Sequence, residues 1–363
     1  MKFNKIIAFI VANLFCQISI DAQNDSIQPE IDSIKKFTFT FIADAYYSYD
    51  FTHASEHLKP NFLYNYKRNK ELNLNFLYFK TAYSHKKIRA NFALHTGNYV
   101  QYNYANEPEL FQFINEASVG FKLSKKHNLW IDAGIMPSHI GFESAINSDC
   151  STLTRSVLAE NSPYFETGIK LNYVSKSEKW TFNLLGLNGW QRIASLTPSF
   201  SPSLGLQITY IPVKEWLFNY SNFVGEINSV VPFNRTYHNF YAQYKSKKNV
   251  NVTAGLDIGS DYWKDDRTNW LAAVLILQKV QSKKLKYALR FEYVKDPNNT
   301  LIQFKSNDSN RYLLGSSANV DYWIRKNLVF RIEGKYLKST STLFNDAYNY
   351  QLGITSNLTF IIN

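Results

Sequence analysis

The chain has 363 residues, 45% of them hydrophobic and 16% aromatic, with 27 Phe and 25 Tyr against 14 Gly and 2 Cys. That much apolar surface excludes a disordered chain, and the Gly and Cys counts exclude a collagen-like or disulfide-stapled one. The formal charge of +11 raises nucleic acid as a partner, but the excess lies in short Lys-rich stretches that solvate turns and discourage edge pairing, so no nucleic-acid partner is expected.

In chain order, residues 1–22 read as a signal peptide. Lys2 and Lys5 precede an apolar run from Ile6 to Phe15, and Ala22 offers a small residue before a cut ahead of Gln23. A lipoprotein would acylate Cys16, but Phe15 stands where a small residue belongs. The exported chain then keeps only Cys150 and has no internal disulfide. Residues 23–36, polar and carrying Pro29, read as a flexible periplasmic N-terminal arm, and 37–363 as one further domain. That domain has no run of about 18 apolar residues, hence no transmembrane helix.

From Phe37 onward, apolar and polar residues alternate with period two, the mark of strands with two unlike faces. At the C-terminal end Tyr348, Tyr350, Leu352, Ile354, Leu358, Phe360 and Ile362 share one face. Asn349, Gln351, Gly353, Thr355, Asn357 and Thr359 share the other. Sixteen such segments are predicted, near 37–51, 70–84, 88–104, 110–124, 128–140, 164–176, 179–193, 202–212, 215–228, 235–246, 249–262, 267–282, 284–296, 309–324, 327–340 and 346–362. They are far longer than the about 5–6 residues of a soluble strand and meet the about 9–11 needed to cross a bilayer at a tilt.

The connections sort by length. After even-numbered segments they are short, at 84–87, 124–128, 176–179, 211–214, 245–249, 282–283 and 325–327. After odd-numbered segments they are often long, at 52–69, 141–163, 194–201 and 297–308. Short periplasmic turns and longer extracellular loops are the habit of an antiparallel up-and-down transmembrane β-barrel of the Gram-negative outer membrane. A soluble sandwich has no reason to show it. Aromatic residues gather at segment ends as two girdles require. Tyr46, Tyr47, Tyr49, Tyr99, Tyr102, Tyr104, Tyr262, Trp263 and Trp270 are expected at the loop end, and Trp130, Trp180, Trp216, Tyr322 and Phe360 at the turn end.

Three stretches carry a family resemblance: Gly134-Ile135-Met136-Pro137-Ser138-His139-Ile140-Gly141-Phe142-Glu143; Thr152–Ser156 with Ala159–Gly168; and Asn188-Gly189-Trp190-Gln191-Arg192. Together they resemble the beta-barrel porin-2 (OmpL-like) family of outer-membrane proteins. The resemblance is specific between about 130 and 195 and diffuse elsewhere. It implies an outer-membrane diffusion channel and brings across no catalytic residue and no solute.

Motifs for other chemistry are incomplete. His53-Ala54-Ser55-Glu56-His57 matches an inverted zinc-protease pattern, yet it falls in an expected outer loop rather than on a helix and lacks a third ligand. Asp257, Asp261, Asp265 and Asp266 cluster about a tight loop without the spacing of a calcium loop. Ser138-His139 near Asp132 or Asp149 suggests a hydrolase, but no nucleophile elbow surrounds Ser138. No catalytic residue, metal or cofactor is assigned.

Taking the non-aromatic face of each segment as lumenal yields the pore-lining candidates Arg89, Lys122, Lys170, Lys286, Arg290, Arg311, Arg331 and Lys335, with Glu116, Asp132, Glu166, Asp257, Asp261, Glu292, Asp321 and Glu333. In lipid such groups are costly, so they line water or pair across strands. Lys286, Arg290, Arg311, Arg331 and Lys335 cluster on late strands, which suggests a mild anion preference. The long loop 141–163 offers Glu143, Asp149, Arg155 and Glu160 for a constriction. The reading is a porin passing small hydrophilic solutes, with outer-membrane lipid, lipopolysaccharide and the outer-membrane assembly machinery as partners. A homo-oligomer fits it, though no residue marks a subunit interface. The alternatives are a non-conducting barrel that binds or adheres through its loops, or an outer-membrane lipid-modifying hydrolase.

Overall fold

The computed structural model describes residues 36–52, 57–195, 201–227, 233–305, 310–344 and 348–363. The expected signal peptide, nearly all of the N-terminal arm and His53–Glu56 of the zinc-like motif lie outside them.

Sixteen strands account for the alternating pattern: β1 (Lys36–Asp50), β2 (Leu72–Ser84), β3 (Ile88–Thr96), β4 (Ile114–Lys122), β5 (Asn128–Pro137), β6 (Phe165–Val174), β7 (Trp180–Leu187), β8 (Ser203–Tyr210), β9 (Trp216–Glu226), β10 (Asn234–Lys245), β11 (Val250–Trp263), β12 (Asp266–Val280), β13 (Leu285–Lys295), β14 (Tyr312–Arg325), β15 (Leu328–Ser339) and β16 (Tyr350–Ile362). Each pairs antiparallel with its sequence neighbours, and β1 pairs with β16 from Phe41↔Ile362 to Asp50↔Gly353. The sheet closes on itself and leaves no edge to pair with another chain.

The two faces separate as the alternation requires. On β16, Leu352, Ile354, Leu358 and Ile362 are exposed on the outside, while Gln351, Thr355, Asn357 and Thr359 are buried inside. The same division places Tyr287, Leu289 and Phe291 of β13 outward and Ala288, Arg290 and Glu292 inward. Short turns gather at one end and long connections at the other. The exception is the β11–β12 hairpin, which turns at the loop end through Lys264 and Asp265, with Lys264 at φ 54°.

Several segments are shorter than their alternation predicts. The segment read as 88–104 is a strand only to Thr96, after which the chain turns into a short helix, α1 (Asn98–Asn103). Gly97 makes the break: its φ is 118°, and an added Cβ would stand 2.5 Å from the Asn75 carbonyl oxygen. A second helical turn, α2 (Val157–Glu160), lies in the connection after β5.

These insertions correct part of the aromatic-girdle expectation. Tyr46, Tyr99, Tyr104 and Trp270 do not face lipid but are buried inside the barrel. Tyr104 stacks on Phe165 at 4.0 Å between centroids, and Tyr46 donates to Asn98 Oδ1 at 2.7 Å. Trp130 shares the inward face of β5 with Asp132 and lies under the Arg89 guanidinium at 4.5 Å. Trp180, Trp216 and Tyr322 are exposed on the outside near the turns, as a periplasmic girdle requires.

Candidate functional site

The connection between β5 and β6, residues 138–164, turns into the barrel. A backbone bond from Ser138 N to Tyr164 O closes its neck. Its two legs are tied to each other before they meet the wall. The Arg155 guanidinium donates to the carbonyls of Ser144 (2.7 Å), Leu153 (2.8 Å) and Ala145 (3.1 Å). Glu143 accepts from the Ser156 amide at 3.1 Å and from its hydroxyl. Arg155 is thus fully buried with a bond from each of its three nitrogens to a backbone oxygen.

One end of the loop is pinned to the wall at His139. Its Nδ1 lies 2.7 Å from Glu166, and its Nε2 lies 2.8 Å from the Asn222 carbonyl. Its own carbonyl accepts from Gln207 (2.9 Å) and Ser221 (2.8 Å). Gly205 clears the space: a Cβ there would come within 2.7 Å of the ring. Burial works against a charged imidazole, but Glu166 and the carbonyl outweigh it and hold the pKa above its ordinary value.

The middle of the loop docks on the late strands. Arg290 of β13 donates to Thr152 Oγ1 and the Thr154 carbonyl, each at 2.7 Å. It also pairs with Glu292 (3.0 Å) and Glu333 (2.8 Å). Glu333 accepts from Thr154 N at 2.6 Å, and Glu292 accepts from Val157 N. Arg331 pairs with Asp321 at 2.6 Å and donates to the carbonyls of Asn147 (2.5 Å) and Cys150 (3.0 Å). Lys335 reaches Glu292 at 3.3 Å and the Arg155 carbonyl at 3.1 Å. The wall charges therefore satisfy one another and the loop backbone together.

At the β1–β16 seam Asp44 gathers five donors: Tyr66 Oη (2.8 Å), Asn75 Nδ2 (3.1 Å), Asn147 Nδ2 (2.7 Å), Asn357 Nδ2 (2.6 Å) and Thr359 Oγ1 (3.3 Å). This buried carboxylate escapes the sequence reading, although an Asp between Ala43 and Ala45 in an alternating strand was its signal. Glu160 turns to the first outer connection and accepts from Tyr64 N at 2.8 Å and Asn65 Nδ2 at 3.1 Å. Burial raises the pKa of both Glu143 and Glu160.

The remaining candidates divide between the early wall and the rim. Arg89 donates to Asp132 at 2.6 Å, and Glu116 accepts from Lys80 at 2.6 Å. Asp257 accepts from Asn239 at 2.6 Å and from the Tyr237 hydroxyl, and Asp261 is held by Arg235 at 2.7 Å. Lys122 closes β4 at the turn end. Arg311 corrects the sequence assignment, because it lies in the outer connection before β14 and donates to the Pro297 carbonyl at 2.5 Å. The Ser138-His139 hydrolase arrangement does not assemble. Both imidazole nitrogens are engaged elsewhere, and Ser138 Oγ accepts from Ile140 N at 3.1 Å.

Two water-accessible cavities lie toward the turn end. One, of about 340 Å³, is bounded by Asp149, Ser151, Lys245, Gln278, Lys286 and Arg331. The other, of about 320 Å³, is bounded by Arg89, Glu116, Asp132, Lys170, Asn172 and Asn183. Asn172 donates to Asn183 at 2.8 Å and Asn183 to Gln207 at 2.6 Å, so this wall is a ladder of amides beside the ion pairs.

A closed sixteen-strand barrel with a lipid-facing apolar belt, a polar interior and a loop folded inward after β5 is a porin-type outer-membrane barrel. The chain belongs to the family described as "Putative beta-barrel porin-2, OmpL-like", whose model matches residues 36–363. It is accordingly an outer-membrane protein of the Gram-negative kind. Among curated proteins no sequence match was found. Solved structures with a similar fold include an anion-selective porin from Comamonas acidovorans, at 8% identity and TM-score 0.61 over 91% of this chain and 100% of that one. Salmonella typhi OmpF in complex with daunomycin matches at 12% and 0.62 over 90% and 98%. A trimer form of OmpT, an outer membrane protein of Vibrio cholerae, matches at 7% and 0.58 over 91% and 100%.

Proposed function

We propose that the chain is a diffusion channel for small hydrophilic solutes, narrowed by loop 138–164. The observation that supports this most is the docking of the loop on wall charges that are already paired, beside two water-accessible cavities with polar linings. Glu143, Arg155 and Glu160 hold the constriction in shape, and Asp149 faces the passage. Arg290, Arg331 and Lys335 are neutralised by Glu292, Glu333 and Asp321, so the late basic cluster contributes little net field. Lys170 and Lys286 form no ion pair among the described residues and border the two cavities, as Lys245 does the first, which supports these lysines as the source of an anion preference. As for the trimer form of OmpT, self-association in the membrane is part of this proposal.

The test is single-channel recording of the refolded barrel in a planar bilayer, alongside a variant in which residues 144–160 are replaced by a short Gly-Ser linker. Discrete open steps that grow several-fold on shortening the loop are expected. A folded barrel that stays silent in both forms overturns the channel and favours the rival reading, loop-mediated binding over a plugged lumen. The dense burial of Arg155, Arg290, Arg331, Tyr66 and Phe344 is what keeps that rival in play.

A further inference from the structure

The inner wall toward the turn end carries a belt of neutral polar side chains. Asn172 of β6, Asn183 of β7 and Gln207 of β8 stand opposite one another in the register and are bonded in that order. The belt continues through Thr209, which donates to Asn219 at 2.8 Å. It reappears on β11 and β12, where Asn251 donates to Gln278 at 3.0 Å. Asn172 and Asn183 line one of the two lumenal cavities, and Asn251 and Gln278 line the other.

A backbone group fixes the direction of the amide row. Gln207 Nε2 donates to the His139 carbonyl at 2.9 Å, and a carbonyl only accepts, so Gln207 Oε1 is the atom turned to Asn183. Asn183 therefore spends one N–H on Gln207 and one lone pair on Asn172. An amide has two donor hydrogens and two acceptor lone pairs. Among the described residues Asn183 thus keeps one of each unspent, and it lines the cavity. Asn251 gives one N–H to Gln278 and likewise retains an acceptor. Donors and acceptors stand side by side along this wall.

That mixture selects a ligand chemistry. A hydroxyl both donates and accepts, so a row of hydroxyls matches it. Phosphate dianions and simple carboxylates only accept, and they leave the amide oxygens facing negative charge. The charges around the first cavity are largely cancelled, Arg89 by Asp132 and Glu116 by Lys80. Lys170 is left there as a point charge on a flexible stem, without an ion pair among the described residues. The second cavity has Lys245 and Lys286 but sets Asp149 against them, so the first is the cleaner anion site. Its volume of about 320 Å³ is at the lower end for ligand cavities and suits one sugar ring.

We infer that the cavity walled by β3–β7 is a binding station for polyhydroxylated monoanions, sugar acids of hexuronate size. The carboxylate sits at Lys170 and the hydroxyls lie on the amides of Asn172 and Asn183. This rests on the diffusion channel proposed above and names the solute class that the channel favours.

The test reads affinity without current, so the two readings fail separately. Saturation-transfer NMR on the refolded full chain in detergent ranks D-glucuronate, D-glucose and acetate by competition. Glucuronate is expected to bind several-fold more tightly than either of the others. Asn183→Leu is expected to bring it down toward acetate, and Lys170→Gln to bring it down toward glucose. Equal binding of glucuronate and acetate, or a preference untouched by both substitutions, overturns the inference. If Asn183→Leu does not fold, as judged by heat-modifiable migration, Asn172→Leu takes its place with the same criteria. A barrel that conducts without this ranking overturns the sugar-acid station alone. A folded barrel that keeps the ranking but carries no current overturns the diffusion channel alone.

Discussion

At the scale of single residues, His139 shows how one side chain can be read correctly as special and assigned the wrong chemistry. Its neighbour Ser138 and the carboxylates near it suggest catalysis, whereas the ring is a bolt between loop and wall. Its folded pKa lies above the ordinary 6.5. The stabilisation it adds is therefore complete below that value and is lost as pH rises through the folded pKa. The stability difference between the wild type and His139→Gln, measured in detergent by urea titration from pH 6 to pH 10, is expected to shrink steadily with rising pH. A difference that stays constant would mean that the ring is held neutral. Gly205→Val is expected to displace the ring without touching its charge, because a Cβ at 2.7 Å cannot be accommodated. Its cost should fall in the range of about 1–3 kcal/mol typical of overpacking and should vanish in a His139→Ala background.

At the scale of elements, the inward loop is braced by its own hydrogen bonds and rests on a charged platform. Arg155→Leu removes the donor that joins the Ser144, Ala145 and Leu153 carbonyls, and the buried Leu153 carbonyl left without a partner costs about 1–3 kcal/mol before relaxation. Chymotrypsin added to intact cells is expected to cut this variant within 142–158 and to spare the wild type. Arg290→Met removes the shared partner of Glu292 and Glu333, and breaking such a buried network costs about 3–5 kcal/mol. In single-channel traces it should appear as flickering between two conductance levels. For Lys170→Gln combined with Lys286→Gln, the reversal potential under a salt gradient is expected to move toward cation preference, and an unmoved potential would remove these lysines from the selectivity argument. The elements themselves were legible in the sequence wherever one face meets lipid and the other meets polar groups, as on β13 or β16. Legibility failed where the lumen is filled with protein. There Tyr46, Tyr99 and Trp270 point inward, and an aromatic residue no longer marks the outside. The family-like residues around 134–143 and 152–168 pointed to the loop, but which wall it would meet depends on Asn319, Glu333 and Arg331, far away in sequence and visible only in three dimensions.

At the scale of the whole molecule, closure of the barrel and seating of the loop are coupled, because both supply donors to Asp44. Its donors come from β2, the first outer connection, the inward loop and β16, separated from it by 22 to 315 positions in the chain. Asp44→Ala strands these donors together and is expected to reduce heat-resistant, compactly migrating protein in outer-membrane extracts. Asp44→Asn should recover only part of it, since its single carbonyl oxygen cannot receive them all. The arrangement works as a coincidence detector. A chain with its last strand unpaired, or with its loop still outside, leaves this carboxylate short of donors on an otherwise finished wall. Such a species stays easy to unravel and open to proteases, so quality control is written into the product and need not be supplied entirely by the machinery that builds it.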